Sequence, residues 1–311
     1  MHFAFVGAGA VGGYYGAMLA RAGSRVSFIA RGAHRDAIAS KGITVLSEAV
    51  GDFTANAAAE TDPARIGPVD VAILATKTYD NPTAIPLLRP LVGPATTVLT
   101  LQNGVESVEE VSAVVGEAAT IGGSTYIATA IEGPGVIRQT GSHRRIVLGE
   151  CHGTMKAVSD RVSRIEAEMK AADIHAEAVV DAREAIWEKF TYLAPFAAVT
   201  GAARLPIGPL WADPDAREVF LAAVEEVAAV ARAHGIAIPA DRRQRVEAYA
   251  NKLPPSTRSS LLIDLQHCKR IEVEALQGSV VRRGRNVGVP TPIMAALYAV
   301  LKPYVNGPIG Q

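Results

Sequence analysis

Cysteine is scarce in this sequence, and its spacing does not match that of a metal site. Only two cysteines occur in 311 residues, Cys151 and Cys268, with no Cys-x-x-Cys pair and no cluster of Cys with His. Disulfide-rich secreted domains and structural zinc sites both depend on such patterns, so neither is indicated. We therefore predict no bound metal and a reduced, cytoplasmic setting.

The sequence also lacks long apolar runs and an excess of charge of either sign. No uninterrupted apolar stretch approaches the ~20 residues of a membrane span, and a strand that begins near His2 leaves no room for a signal peptide. Lys plus Arg and Asp plus Glu each number 31, so the formal net charge is zero. Such a balance provides no global field toward nucleic acid or an anionic membrane. We predict a soluble protein with neither as a partner.

The spacing of apolar residues changes along the chain. Short apolar runs alternate with helical stretches in the first half, and beyond residue 180 the apolar spacing is helical. Alternating strands and helices are typical of a mainly parallel sheet. We predict an α/β fold with an N-terminal Rossmann-type doubly wound sheet over residues 1–180 and an all-helical domain over 181–311. The two runs on either side of Gly133–Gly135 are predicted to be antiparallel strands.

The segment GAGAVG stands where the first predicted strand turns into the first predicted helix. It fits the Gly-x-Gly-x-x-Gly pattern, in which the glycines allow a tight turn, an approach of backbone to pyrophosphate, and close helix–strand packing. The helix amino end adds free N–H groups and positive potential. The alternative is a turn with a purely structural role. The predicted cofactor-binding residues of this turn are Gly7, Ala8, Gly9, Ala10, Val11 and Gly12.

The end of the second predicted strand indicates which dinucleotide binds. Arg31 stands where an NAD site has Asp or Glu, and Arg35 follows in the next turn. A guanidinium binds a phosphate through two parallel hydrogen bonds, so the predicted cofactor is NADP(H), and the missing acid disfavours FAD. The alternative is a solvated arginine on a surface loop.

Two further polar residues follow later predicted strands. Lys77 lies in ATKTYD and Asn103 in LQNGVE, just past the strand ends where open α/β sheets bind ligands. Each alone is also compatible with ordinary loop chemistry, since Asn-Gly is a common turn pair. Together they predict a site at one edge of the sheet.

These motifs together resemble those of the ketopantoate reductase family, also called 2-dehydropantoate 2-reductases. The resemblance covers nearly the whole chain, through GAGAVG, RGAH, TKTYD, LQNGVE, IWEKF, RSSLLIDL and RIEVEALQG. It implies an enzyme of the pantothenate pathway that transfers hydride from NADPH to the ketone of a 2-oxo acid and yields a D-2-hydroxy acid. It also implies an active site between the Rossmann and helical domains.

The resemblance implies a role for individual residues. Lys189 of IWEKF matches the catalytic lysine that hydrogen-bonds the ketone oxygen, and its ammonium would stabilise and protonate the alkoxide formed by hydride transfer. Glu272 of RIEVE matches the glutamate that holds the substrate hydroxyl, and Ser260 of RSSLL matches the serine near the substrate carboxylate. Asn103 and Lys77 match residues around the nicotinamide and substrate.

Without the resemblance, each of these residues has an ordinary structural interpretation: a surface lysine, a helix carboxylate or an N-cap. Helix geometry adds a constraint on two of them. Ser260 and Glu272 are twelve residues apart, which in a straight helix separates them by ~120° and ~18 Å. If both serve one small substrate, the chain must bend or unwind between Leu265 and Arg270.

The sequence departs from the family pattern after the lysine. Leu193 and Ala197 stand where family members that reduce ketopantoate typically have asparagines, and Pro195 between them is predicted to kink the helix. Gln139 also replaces a histidine of many relatives. The loss of two amides predicts a drier pocket, which favours a 2-oxo acid with a larger or aromatic side chain. Some relatives in this superfamily are D-mandelate dehydrogenases.

We therefore predict an NADPH-dependent reductase of a small-molecule 2-oxo acid, either ketopantoate or a more apolar relative. The alternative is a redox-sensing NADP(H)-binding protein that has lost turnover. Retention of Lys189 and Glu272 argues against a sensor, because a sensor needs no proton donor. The apolar helical domain is compatible with a homodimer.

Overall fold

The apolar run at the start of the chain forms the first strand of a large sheet in the computed structural model, which describes residues 1–154 and 156–308. The described chain divides into two units. The first unit consists of Met1–Gln102 and Ser107–Ala185. The second consists of Asn103–Glu106 and the chain from Ile186 onward. Every helix in the described ranges is too short or too polar to span a membrane.

The first unit is built on one mixed sheet. Its strands within the described residues are β1 His2–Val6, β2 Arg25–Ile29, β3 Ile43–Ser47, β4 Phe53–Ala55, β5 Ala58–Glu60, β6 Val71–Leu74, β7 Thr97–Thr100, β8 Thr120–Gly133, β9 Val136–Glu150 and β10 His175–Asp181. Their order is β4-β3-β9-β8-β7-β6-β1-β2-β5, and β10 also pairs with β9. The run from β8 through β7, β6, β1, β2 to β5 is parallel.

Helices cover both faces of this sheet. They are α1 Ala10–Arg21, α2 Gly32–Lys41, α3 Asn81–Ala84, α4 Ser107–Val115 and α5 Asp160–Ala171, with a 3₁₀ segment at Ile85–Leu91. Alternate residues of β1 enter different apolar clusters, because successive strand side chains point to opposite faces. Phe3 packs in the cluster that contains Leu19 of α1, whereas Ala4 packs in the cluster that contains Val111 of α4. The predicted doubly wound fold is therefore confirmed.

The long hairpin at one side of the sheet also agrees with the sequence. β8 and β9 pair antiparallel over most of their length and turn at Gly133–Gly135, as predicted. The strands β3, β4 and β5 were not predicted from the sequence. β3 pairs in parallel with the first residues of β9, and β5 adds to the edge of β2. These short strands lengthen the sheet beyond the predicted βαβ core.

The second unit is helical, as predicted. Its helices are α6 Ala182–Ala203, which begins in the first unit, α7 Ile207–Ala212, α8 Pro214–Ala233, α9 Arg242–Ala250, α10 Ser260–Gln266, α11 Ser279–Asn286 and α12 Pro292–Leu301. A π-helical turn at Glu274–Gly278 precedes α11. Residues of α6 and α8 form much of the main apolar core, which includes Phe190 and Val227. Pro195 lies inside α6, and the helix continues to Ala203.

Candidate active site

The glycine-rich turn joins β1 to α1 in the first unit. Gly7 has a φ of +104°, a left-handed conformation that glycine adopts without steric cost, and its N–H donates to the Ile29 carbonyl of β2 at 3.2 Å. A Cβ on Gly12 would lie 2.1 Å from the Gly7 carbonyl oxygen. These two positions therefore accept only glycine without a shift of backbone. The strand–turn–helix context required by the motif is present.

Gly9 differs from the other two glycines because its surroundings are open. It is the N-cap of α1, no side chain caps the helix, and no heavy atom lies within 4 Å of where its Cβ would be. The first four N–H groups of a helix have no partner within the helix, and together they attract an anion. No acidic residue stands in the first turn of α1. The turn therefore fits the pyrophosphate of a dinucleotide.

Arg31 follows β2 in the position predicted from the sequence. It is exposed, has an extended backbone and is the N-cap residue of α2. Arg35 lies one turn further on and forms an ion pair of 3.2 Å with the adjacent Asp36. The exposed guanidinium of Arg31 fits the chemistry of a ribose 2′-phosphate, since arginine presents several donors in a planar fork.

Lys77 lies three residues past the end of β6, where it caps a short 3₁₀ turn at Thr78–Asp80. Its carbonyl accepts a hydrogen bond of 3.0 Å from the Asp80 N–H. Asn103 similarly lies three residues past β7, the parallel neighbour of β6. Both residues therefore follow the carboxyl ends of adjacent strands, as predicted. Asn103 itself belongs to the second unit.

Lys189 and Asn103 come together within the second unit. The Lys189 ammonium donates a hydrogen bond of 2.8 Å to Oδ1 of Asn103. Burial lowers the pKa of Lys189 from 10.5 to about 8, against the opposing effect of the negative charge of Glu272. Desolvation penalises the charged form of an amine, and the amide oxygen of Asn103 supplies no charge to offset it. The result is an ammonium that releases its proton more readily than an ordinary lysine.

Each of the four residues 103–106 contacts other residues of the second unit. Gly104 has a φ of +102°, and a Cβ there would lie 3.1 Å from the Ala275 carbonyl oxygen of the π-helical turn. Val105 belongs to the main apolar core of the unit. Glu106 accepts a hydrogen bond of 2.8 Å from Nη2 of Arg282. This anchoring fixes the position of the Asn103 amide that accepts from the lysine.

Glu272 and Ser260 lie on either side of a break in the helix. α10 ends at Gln266, and Cys268 then takes a left-handed φ of +57° before the π-helical turn begins at Glu274. The unwinding that the paired assignment requires is therefore present. Glu272 is 6% exposed, whereas Ser260 is exposed.

The contacts around Ser260 differ from those of the lysine group. Ser259 is the N-cap of α10, and its Oγ accepts from the Leu262 N–H at 3.1 Å. The interpretation of Ser260 as an N-cap is therefore wrong. Within the described residues, no hydrogen bond joins Ser260 directly to Lys189 or Asn103.

Leu193 and Ala197 lie on α6 beyond the lysine. Ala197 is 1% exposed and belongs to the main apolar core of the second unit with Phe190, and the partly buried Leu193 packs against that core. Gln139 lies in the first unit, where its Oε1 accepts from the Ser47 hydroxyl at 2.6 Å. Leu193 and Ala197 carry no amide, so on α6 these two positions offer no hydrogen-bonding side chain.

Several residues that hold the site were not singled out by the sequence. Gln102 donates to Oδ1 of Asn81 at 2.6 Å beside the strand ends of the first unit, and Arg282 binds Glu106 in the second. His34 bonds the glycine-rich turn through the Ala8 carbonyl at 2.7 Å. His34 lies in the RGAH segment, which was noted only as part of a family resemblance. Contacts between residues so distant in sequence leave no periodic signal.

Comparison with known proteins shows the family to which the chain is similar. The family model described as "Ketopantoate reductase PanE/ApbA" matches residues 3–153, and its C-terminal model matches residues 181–305. A 2-dehydropantoate 2-reductase of Nostoc sp. is 33% identical, over 96% of this chain and 94% of that protein. A crystal structure of 2-dehydropantoate 2-reductase from Geobacter metallireducens GS-15 superposes with a TM-score of 0.89 at 30% identity, and covers 97% of this chain and 99% of that one.

A more distant structure shares only the fold. D-mandelate dehydrogenase in a ternary structure with NADH and anilino(oxo)acetate superposes with a TM-score of 0.86 at 21% identity, over 97% of both chains. The matches at 30% identity and above carry the assignment. The chain belongs to the ketopantoate reductase (PanE/ApbA) family. It is thus an oxidoreductase of a family that acts on a CH–OH group with a nicotinamide cofactor.

Proposed function

We propose that this protein is an NADPH-dependent reductase that converts a 2-oxo acid to a D-2-hydroxy acid. The observation that carries the proposal is the desolvated ammonium of Lys189, held 2.8 Å from the Asn103 amide oxygen. A carbonyl that receives hydride becomes an alkoxide, which needs a positive charge and then a proton. A lysine with a pKa of about 8 supplies both near neutral pH.

The other residues of the chain have complementary roles in this proposal. Bound nicotinamide supplies the hydride. The glycine-rich turn with its open Gly9 holds the pyrophosphate, and Arg31 holds the 2′-phosphate. Glu272 holds the hydroxyl of the product, and Ser260 and Lys77 assist substrate binding. Asn103 keeps the lysine ammonium oriented.

We further propose that the preferred substrate is more apolar than ketopantoate. The supporting observation is that Leu193 and Ala197 pack in the apolar core of the second unit. Each hydrogen bond to a charged group is worth about 1.5–3 kcal/mol, so loss of two amides weakens binding of a polar substrate. A 2-oxo acid with an aromatic or bulky aliphatic side chain loses no hydrogen bond by that change.

The test is steady-state oxidation of NADPH with a panel of 2-oxo acids. The panel contains ketopantoate, 2-oxoisovalerate, 2-oxo-4-methylvalerate and phenylglyoxylate, each also assayed with NADH. We expect higher kcat/KM for the bulkier apolar acids and a preference for NADPH. A higher kcat/KM for ketopantoate than for the other acids would contradict the substrate proposal and leave the reductase proposal intact. Tight NADPH binding with no turnover of any acid would favour a redox sensor.

A further inference from the structure

A histidine outside the proposed reaction joins three segments of the first unit. His34 lies in the first turn of α2, three residues after Arg31. Its Nε2 lies 2.7 Å from the Ala8 carbonyl oxygen of the glycine-rich turn. Its Nδ1 accepts a hydrogen bond of 3.0 Å from the N–H of Gly135 in the β8–β9 turn. Both ring nitrogens are therefore engaged with backbone.

These partners indicate which ring nitrogen donates and which accepts. A backbone N–H can only donate, so Nδ1 faces Gly135 as an unprotonated acceptor. A carbonyl oxygen can only accept, so Nε2 carries the proton and donates it to Ala8. The two contacts therefore match the tautomer with the proton on Nε2. Two backbone groups of fixed polarity select this one tautomer.

The bond to Ala8 fixes the direction of the next amide. In a planar trans peptide, the C=O of one residue and the N–H of the next point in opposite directions. The carbonyl of Ala8 points to His34, so the N–H of Gly9 points away from it. Gly9 is the N-cap of α1, and no heavy atom beyond its chain neighbours lies within 4 Å of where its Cβ would be. The histidine thus sets the orientation of the first amide available to a phosphate.

The contact at Gly135 makes His34 itself rigid. Gly135 has a φ of +73°, and a Cβ there would lie 2.9 Å from Cβ of Ala37 on the next turn of α2. The carbonyl of Gly135 also accepts from the Thr44 N–H of β3 at 2.8 Å. The hairpin turn is therefore packed closely on α2 and tied to the sheet. This arrangement leaves the imidazole little freedom to turn away from Ala8.

We infer that His34 is a positioning residue for the dinucleotide, which orients the Gly9 N–H toward the pyrophosphate and couples the phosphate turn to the segment that carries Arg31. This inference rests on the proposed binding of a nicotinamide dinucleotide at the glycine-rich turn. We expect the hydrogen bond from Nε2 to Ala8 to account for the effect on cofactor affinity. The hydrogen bond at Nδ1 holds the imidazole in place.

Two substitutions separate the bonds of His34. The amide nitrogen of glutamine overlays Nε2 of histidine, so His34→Gln keeps a donor for Ala8 and loses the acceptor for Gly135. The amide oxygen of asparagine overlays Nδ1, so His34→Asn keeps the acceptor and loses the donor. His34→Ala loses both. His175→Ala, at an exposed histidine of the same unit, is the matched control.

The measurements are the Kd of NADPH from fluorescence titration, the KM of NADPH and kcat, and the thermal midpoint. We expect His34→Ala and His34→Asn to raise Kd and KM by about 3- to 10-fold, as for loss of one hydrogen bond, with kcat at saturating cofactor little changed. His34→Gln should remain within about 2-fold of the unsubstituted protein, because it restores the donor. His175→Ala should change neither constant.

Equal losses of affinity in the Gln and Asn variants would overturn the inference, as would unchanged affinity in the Ala variant. A fall in thermal midpoint without a change in Kd or KM would show a purely structural role. If the Ala variant does not fold, the comparison of Gln with Asn still decides. The binding titration is independent of turnover, so a protein that binds NADPH but reduces no 2-oxo acid fails the proposed function without affecting this test.

Discussion

The ammonium of Lys189 donates its hydrogen bond to a neutral oxygen, Oδ1 of Asn103, at 2.8 Å. An amide orients a cation but offers no negative charge. The effect of burial on the pKa of Lys189 therefore dominates and lowers it to about 8. Glu272 supplies the opposing charge. Orientation and acidity of the lysine are therefore controlled by different residues, and they can be tested separately.

The pH dependence of the reaction should follow the lysine. Lys189 donates a proton in the proposed reaction and is active only when protonated, and its pKa in the folded protein is lowered to about 8. We therefore expect kcat/KM for the 2-oxo acid to be constant below that pH and to fall about tenfold per pH unit above it. The check is a pH profile of NADPH oxidation from pH 6 to 10, assayed at saturating NADPH.

The Lys189→Ala variant is the control for that profile. It should lose about 100- to 10,000-fold in kcat, because it lacks the proton donor. Its residual activity should show no decline near pH 8. A decline that persists in this variant would assign the titration to another group.

Asn103→Asp should shift the alkaline limb of the pH profile to higher pH. The substitution places a carboxylate where the amide oxygen accepts from the ammonium at 2.8 Å. A negative charge at that distance favours the protonated lysine and raises its pKa by about 1 unit or more. The same pH profile is the measurement. Asn103→Ala, which adds no charge, should lower kcat and leave the limb at or below its original position.

Two glycines of one turn should respond differently to alanine. Gly9→Ala places a methyl in open space, so the free energy of unfolding should change by less than about 0.5 kcal/mol. The KM of NADPH should rise at least about tenfold. Gly12→Ala places a methyl 2.1 Å from the Gly7 carbonyl oxygen, so it should destabilise the fold by about 1–3 kcal/mol. Denaturant unfolding and cofactor kinetics check the pair. Equal destabilisation by both would refute the distinction.

Arg31 should discriminate between the two nicotinamide dinucleotides. Arg31→Ala removes an exposed guanidinium just after β2, so it should raise the KM of NADPH by about tenfold or more and leave the KM of NADH nearly unchanged. Arg25→Ala, at the other end of the same strand, is the matched control and should alter neither. The two KM values for each variant are the measurement. A parallel rise with both cofactors would mean that Arg31 does not contact the 2′-phosphate.

Leu193→Asn should change the preference among substrates. The amide restores a hydrogen-bonding group at a partly buried position of α6, so kcat/KM for ketopantoate should rise by about tenfold relative to an aromatic 2-oxo acid. Leu193→Met keeps volume and apolarity and should leave the ratio unchanged. Competition assays with both acids measure the ratio. An unchanged ratio in the asparagine variant would remove Leu193 from substrate selection.

Local patterns in the sequence predicted the first part of the fold well. The turn at Gly7 to Gly12, the helix that follows it and the antiparallel hairpin all depend on residues adjacent in the chain. The short strands β4 and β5 were not predicted, since each has three residues and is defined by its pairing, β4 with β3 and β5 with β2. Strands of that length carry no detectable alternation of apolar and polar residues.

The proposed catalytic lysine was harder to predict from physical principles. Lys189 lies among aromatic residues of α6, a pattern equally typical of a surface lysine, and only the family resemblance singled it out. Its low pKa comes from burial, and Glu272, whose negative charge acts against that shift, lies 83 positions away in the chain. The π-helical turn at Glu274–Gly278 was also not predicted, because its hydrogen bonds do not follow the 3.6-residue period. His34 was missed because its partners are backbone atoms.

Residues 103–106 belong to the second unit although strands and helices of the first unit surround them in the sequence. A fragment that begins at Ile186 therefore carries Lys189 without its acceptor. The same holds for a chimera that takes its helical half from a relative. Such a hybrid has to inherit these four residues from the donor of the helices, because a crossover placed only at the boundary between halves would take the Lys189 ammonium and its amide acceptor from different parents.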